Sequence, residues 1–212
     1  MFRSARTPSA IASLLLLAVS VGGCSGSSNT PASSAPAAVA CDPGRLDAFV
    51  DSIQNVTYDY EPVDTPQVQA RMADLVVGRF VGVVPGRAGR ATGSQGTLTV
   101  AVDEVLSGEA DAVTDGLVFV ELPMQAGDIE AAQRSLPATR VLLFLEDRSV
   151  IDGRDLPGGR PPDAPIFAPF VQGVILEACP GYVSALEDIM GMAPAWREAA
   201  TFDEFVALVR EA

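Results

Sequence analysis

A mainly β domain of the α+β class is what this sequence predicts. The expected form is a small antiparallel β-barrel or curved sheet of about five strands, with N- and C-terminal helices packed on it. Two observations carry the prediction. Runs rich in Val, Leu and Phe, bounded by Gly, Pro or acidic residues, have the length of strands rather than of helices. At both ends of the same stretch, apolar residues recur at helical spacing behind capping residues.

The first helix is predicted behind Asp42-Pro43, since Asp42 can cap free amides and Pro43 suits a first turn. Leu46, Phe49, Val50 and Ile53 then follow at i, i+3, i+4 and i+7. A shorter helical segment, Pro66 to Met72, leads into a strand from Asp74 to Val84, and the Gly-rich stretch from Pro85 to Gly96 reads as its turn. The next strand alternates, with Leu98, Val100 and Val102 on one face, but Val105 is out of phase with them. A bulge or strand end near Asp103-Glu104 accounts for the break. Leu117 to Leu122 and Val141 to Glu146 are further strands, separated by a loop with a helical turn from Asp128 to Leu136, and Val171 to Cys179 is the last. A closing helix is predicted where Thr201 and Glu204 have capping-box spacing and Phe202, Phe205, Val206 and Val209 form an apolar stripe suited to the core.

Three parts are expected: a signal peptide over residues 1–23, a lipidated cysteine with a flexible tether over 24–40, and one globular domain over 41–212. Arg3 and Arg6 precede an apolar run from Ile11 to Val21, which fits the centre of a secretory signal and falls short of the ~20 residues of a spanning helix. Val21-Gly22-Gly23-Cys24 resembles the lipobox of bacterial lipoproteins, with Gly22 where Ala or Ser is more usual. That resemblance implies a diacylglyceryl group on the Cys24 sulfur, palmitate-type acylation, and a place on the extracytoplasmic face of the cell membrane. Two acyl chains suffice for stable anchoring. From Ser25 to Ala40 the composition is that of a spacer unable to bury a core.

With Cys24 carrying lipid, Cys41 and Cys179 remain at the two ends of the expected domain, in an oxidising compartment, and are expected to pair. Such a disulfide would restrict the unfolded chain by about 3–5 kcal/mol in the chain-entropy view. It would pin the domain's start to its last strand.

Charge and composition exclude several functions. The 212-residue chain has a formal charge of -13, with 27 acidic residues against 14 basic ones, all of them arginine. Such a surface repels phosphate backbones and anionic head groups, which argues against nucleic-acid partners and against electrostatic attachment to membranes. Histidine and lysine are absent, so a Ser-His-Asp triad, a Cys-His pair, a Ser-Lys dyad, a Schiff-base lysine, a His-ligated metal and a P-loop lysine are all impossible within this chain.

Carboxylates remain. Glu104, Glu121, Glu146 and Glu177 fall at strand ends, and two of them held about 5–10 Å apart could act as acid and base on a glycosidic bond. One Trp, three Tyr and nine Phe are a poor supply of sugar-stacking rings, and solvated strand ends explain the glutamates as well. Asp147, Asp152, Asp155 and Asp163 lack EF-hand spacing for Ca²⁺ and are offset by Arg148, Arg154 and Arg160. No catalytic residue, cofactor or metal site is assigned. The Pro- and Gly-rich loop Asp152 to Pro169 is the best candidate for a partner surface. Arg79, inside an apolar strand, should meet a carboxylate or lie on an exposed edge, with anion binding as the other use.

The strings Ala73-Asp74-Leu75-Val76-Val77-Gly78, Val102-Asp103-Glu104-Val105-Leu106-Ser107-Gly108-Glu109, Val141-Leu142-Leu143-Phe144-Leu145 and Gln172-Gly173 resemble an uncharacterised β-rich domain of exported proteins and lipoproteins of high-GC Gram-positive bacteria. The likeness spans Pro66 to Val183, implies fold, and brings no catalytic residues. The expectation is a lipid-anchored binding or structural interaction domain of the cell envelope, with an envelope protein or small ligand as partner. The alternative is a carboxylate-based hydrolase of an envelope polymer.

Overall fold

The computed structural model describes residues 42–54, 61–86, 95–108, 113–148, 150–151, 154–155, 161 and 164–212. The leader, Cys24, the tether, Cys41 and most of the Gly-rich turn lie outside the described residues. The elements in chain order are α1 (Pro43–Ile53), α2 (Pro66–Ala70), β1 (Asp74–Pro85), β2 (Gln95–Ser107), β3 (Leu117–Pro123), α3 (Ala126–Ser135), β4 (Val141–Asp147), β5 (Val150–Ile151), β6 (Arg154–Asp155), β7 (Ile166–Glu177), β8 (Tyr182–Ser184) and α4 (Phe202–Arg210). A 3-10 turn at Pro194–Arg197 precedes α4.

The architecture is α+β and mainly antiparallel, as predicted: a six-stranded sheet in the order β3-β2-β1-β4-β7-β8, with β5 and β6 as a separate hairpin. The sheet curls until β3 also meets β7 in parallel, with Phe119 against Ile166 and Val120 against Phe167. The circuit runs β1-β2-β3-β7-β4 and back to β1, with a helix between β3 and β4, and only two residue pairs join β3 to β7.

The sheet expected to hold about five strands has six, and the hairpin adds two short ones. β5 and β6 have two residues each and β8 three, too few for any periodicity to show. The last long strand begins at Ile166, not Val171, because Pro169 ends neither strand nor pairing: it stands opposite Leu145. Leu143 faces Val174 and Leu145 faces Pro169, so residues 170–173 form a bulge against Phe144. Proline is tolerated in a strand at such a break. Gly173 is required there, since a Cβ would stand 2.7 Å from the Phe144 carbonyl oxygen.

The break predicted in β2 is present. Val77 faces Glu104 and Gly78 faces Val102, leaving Asp103 as the extra residue of a bulge. Of the two other register shifts in this ladder, the one between Phe80 and Gly82 leaves Val81 without a partner on β2 and 53% exposed. Beyond Gly78, β1 no longer pairs with β4. Gln133 of α3 covers that open edge, its Oε1 accepting the Val83 N–H at 2.7 Å.

Two cores result. Inside the curl, Val76, Phe80, Leu98, Val100, Val120, Leu143, Leu145 and Val174 pack with Leu46, Phe49 and Ile53 of α1 and Ile129 of α3. Outside it, Leu75, Val77, Leu142, Phe144 and Ile175 pack under Ala70 of α2, Trp196, and Phe202, Phe205, Val206 and Val209 of α4. β1, β4 and β7 are thus covered on both faces, which is why Val141 to Leu145 reads as an unbroken apolar run.

The caps follow the sequence. Asp42 accepts the Arg45 N–H at 3.1 Å and Thr201 the Glu204 N–H at 3.2 Å. Glu204 reaches back to the Ala200 N–H at 2.8 Å, one residue beyond the usual capping-box partner.

Candidate functional site

The four strand-end glutamates lie on four strands. Glu104 on β2 holds Arg210 at 2.7 Å, Glu146 on β4 holds Arg148 at 2.6 Å, and Glu177 on β7 holds Arg140 at 2.7 Å. Glu121 on β3 is buried beside Thr97, whose hydroxyl is 3.5 Å from its carboxylate. Glu121 faces Thr97 across the ladder, so Glu104, seven positions further along β2, is about 23 Å away along the strand. Glu177 and Glu146 likewise mark opposite ends of the β4–β7 ladder.

Glu121 and Glu146 come closest. Glu146 faces Ala168, and the parallel β3–β7 register brings Glu121 level with Ala168 from the other side, so the two backbones are two strand spacings, about 10 Å, apart. Both side chains alternate with inward-facing neighbours, Val120 and Leu145, and so leave from the outer face.

Arg140 is the most heavily engaged cation. Its guanidinium grips both oxygens of Glu177, at 3.1 and 2.7 Å, donates to Asp203 at 2.7 Å, and stacks 4.8 Å from the centre of the Phe202 ring. That hydrogen bonding holds the Glu177 carboxyl below the usual carboxylate range and keeps Arg140 charged throughout. The cluster ties the start of α4 to the sheet. Tyr182, raised above its ordinary value by burial and then by Glu204, donates its hydroxyl to the Trp196 carbonyl at 2.9 Å. Trp196 donates its ring N–H to Val63 O at 2.9 Å and Gln172, from the β7 bulge, accepts the Val63 N–H at 2.8 Å, so the segment before α2 is held on both sides.

Arg79 meets a carboxylate on an exposed edge, as expected: Asp103 at 3.4 Å, both side chains nearly half exposed, with a further bond to Ala138 O at 3.1 Å. The bulge that makes Asp103 the extra residue also supplies Arg79's partner. Cys179 lies in the turn between β7 and β8 and is disulfide-bonded. Its expected partner, Cys41, lies outside the described residues, and the anchoring point is this turn rather than the last strand itself. Of the expected partner loop, Ile166 to Pro169 belongs to β7, and 154–155 form β6. Asp152, Asp163 and the prolines at 157 and 162 lie outside the described residues. Among the described residues, no three carboxylate or thiol side chains gather in a way that could hold a metal ion, and no helix is long and apolar enough to cross a membrane.

One feature has no counterpart in the sequence reading. Ala70, Arg71, Ala73, Leu75, Leu106, Ser107, Gly108, Val209, Arg210 and Ala212 surround a cleft of about 320 Å³. Three chain segments far apart in sequence build it, so no motif or spacing could announce it. No protein family and no curated protein matches the chain.

Proposed function

We propose that this chain is a lipid-anchored, extracytoplasmic domain that acts in the cell envelope by binding or structural interaction, attached through Cys24 and closed by a Cys41–Cys179 disulfide. The observation that carries the non-enzymatic part is that Glu104, Glu146 and Glu177 are each paired with a different arginine, so these three carboxylates are committed to separate ion pairs rather than gathered as an acid and a base. The leader's lipobox-like ending supports the anchor, and the acidic surface makes a protein or small molecule a better partner than nucleic acid.

A second reading, the carboxylate-based hydrolase, now narrows to Glu121 and Glu146, whose backbone separation is compatible with an inverting pair. The Glu146–Arg148 contact weighs against it.

The test is a turnover screen of the purified protein on polysaccharide, peptidoglycan, ester and phosphate substrates, beside crosslinking and capture from the producing cell's membranes. A specific crosslinked partner and no turnover is the expected result. Turnover that survives repurification and disappears in Glu121→Gln or Glu146→Gln would establish the hydrolase instead.

A further inference from the structure

The cleft between α2, the ends of β1 and β2, and the last turn of α4 combines an apolar floor with a cationic rim. Ala70, Leu75, Leu106 and Val209 form the floor, and Arg71 and Arg210 stand at the rim. The Ser107 hydroxyl is committed, donating to the Ala73 carbonyl at 3.2 Å. The Arg71 guanidinium has no carboxylate partner among the described residues, in a chain where 27 acids outnumber 14 arginines. Arg210 is held by Glu104 at 2.7 Å, but both side chains are half exposed, at 52% and 51%. An exposed pair of that kind contributes only about 0–1 kcal/mol, so Arg210 can exchange Glu104 for another oxyanion at little loss.

We propose that this cleft binds a small amphiphilic anion, a carboxylate or phosphate on a short apolar chain. Arg71 takes the anionic head, and Arg210 swings from Glu104 to join it. The planar guanidinium fork matches the paired oxygens of either head group. The chain lies on Leu75, Leu106 and Val209. A volume of about 320 Å³ is at the lower end of small-molecule sites, which sets the ligand at a head group with about four or five carbons. At physiological ionic strength the rest of the acidic surface is screened beyond about 8 Å, leaving the rim arginines, Glu104 and Asp74, whose carboxylate lies beside Gly108, to set the local field. This inference rests on the binding reading above and gives it a ligand class.

The experiment titrates butyl phosphate, pentanoate, inorganic phosphate and butanol into the full-length chain with labelled Leu and Val methyl groups, followed by NMR. Butyl phosphate or pentanoate should shift the Leu106 and Val209 methyl signals saturably, with inorganic phosphate and butanol at least about tenfold weaker. Arg71→Gln should weaken binding about tenfold or more, the loss expected for one charge-assisted contact. Its Tm should not change, because Arg71 is exposed and its side chain supports nothing else. No saturable shift of those methyls, equal binding of butanol, or unaltered binding by Arg71→Gln would overturn the site. Failure here leaves capture of a crosslinked envelope partner untouched, so the ligand and the binding role can fail separately.

Discussion

The two faces of β1, β4 and β7 are both covered, yet they are closed by different means. The inner face is sealed by shape: Leu98, Val100, Val120, Leu143 and Val174 meet one another because the strands bend round, and α1 and α3 plug the remaining edge. The outer face is sealed by a lid of separate pieces, α2, the 3-10 turn at Trp196 and α4, and these are held by polar contacts as well as by packing. Trp196 and Tyr182 each place an aromatic body in the core and one hydrogen bond at its margin. Arg140 adds a guanidinium between Glu177 of the sheet and Asp203 of α4. A mostly antiparallel sheet ordinarily leaves one face to water. Covering both lets a domain of this size bury a larger core, and it fixes where the exposed features can be: at the bulges, the strand ends and the cleft beside α4.

Neighbouring residues of β4 break or sustain this comparison. Leu143 faces the inner core and Phe144 the outer one, and both are fully buried. If the outer lid is core, Phe144→Ala should destabilise by about 3–5 kcal/mol and Leu143→Ala by about 2–5 kcal/mol, measured by urea unfolding. A Phe144→Ala loss near 1 kcal/mol, with Leu143→Ala at full cost, would show that the lid contributes little.

A smaller effect sharpens the polar half of the comparison. The Glu177 carboxyl lies below its ordinary pKa in the folded state, through hydrogen bonding from Arg140. Its contribution is therefore fully present above the unfolded value near pH 4.3, and is lost as pH falls through the lower folded value. Glu177→Gln should lower stability at pH 7 by about 1–2 kcal/mol, given partial burial. The gap to the unaltered protein should narrow as pH is taken below about 4. A gap that stays constant across that range would show that the pair acts by packing rather than by charge.

The elements that sequence reading placed well are those whose signals are local. Asp42 and Thr201 cap the helices expected of them, and the phase slip at Val105 pointed to a bulge or strand end near Asp103-Glu104, where the Asp103 bulge lies. Pro169 misled, because a proline at a bulge looks the same in sequence as a proline that ends a strand. Coverage of the outer face was only half legible. The α4 stripe was visible, whereas Trp196 sits on a single 3-10 turn with no periodicity, and its Val63 partner lies far back in the chain. Arg79's need for a carboxylate was legible from its setting, but the identity of Asp103 depended on the bulge. The cleft was beyond sequence reading altogether, since residues near 71, 107 and 210 meet only in the folded chain.

The proposed role depends first on attachment at Cys24, and intact-mass analysis of the membrane-extracted protein tests it most directly. Expressed in a Gram-positive host, the chain should be recovered from the membrane fraction beginning at Cys24 and carrying a diacylglyceryl group. Cys24→Ala should be found unprocessed or in the medium. A Cys24→Ala protein that stays in the membrane fraction with the mass of the mature wild-type chain would contradict the anchor and, with it, the envelope role built on it.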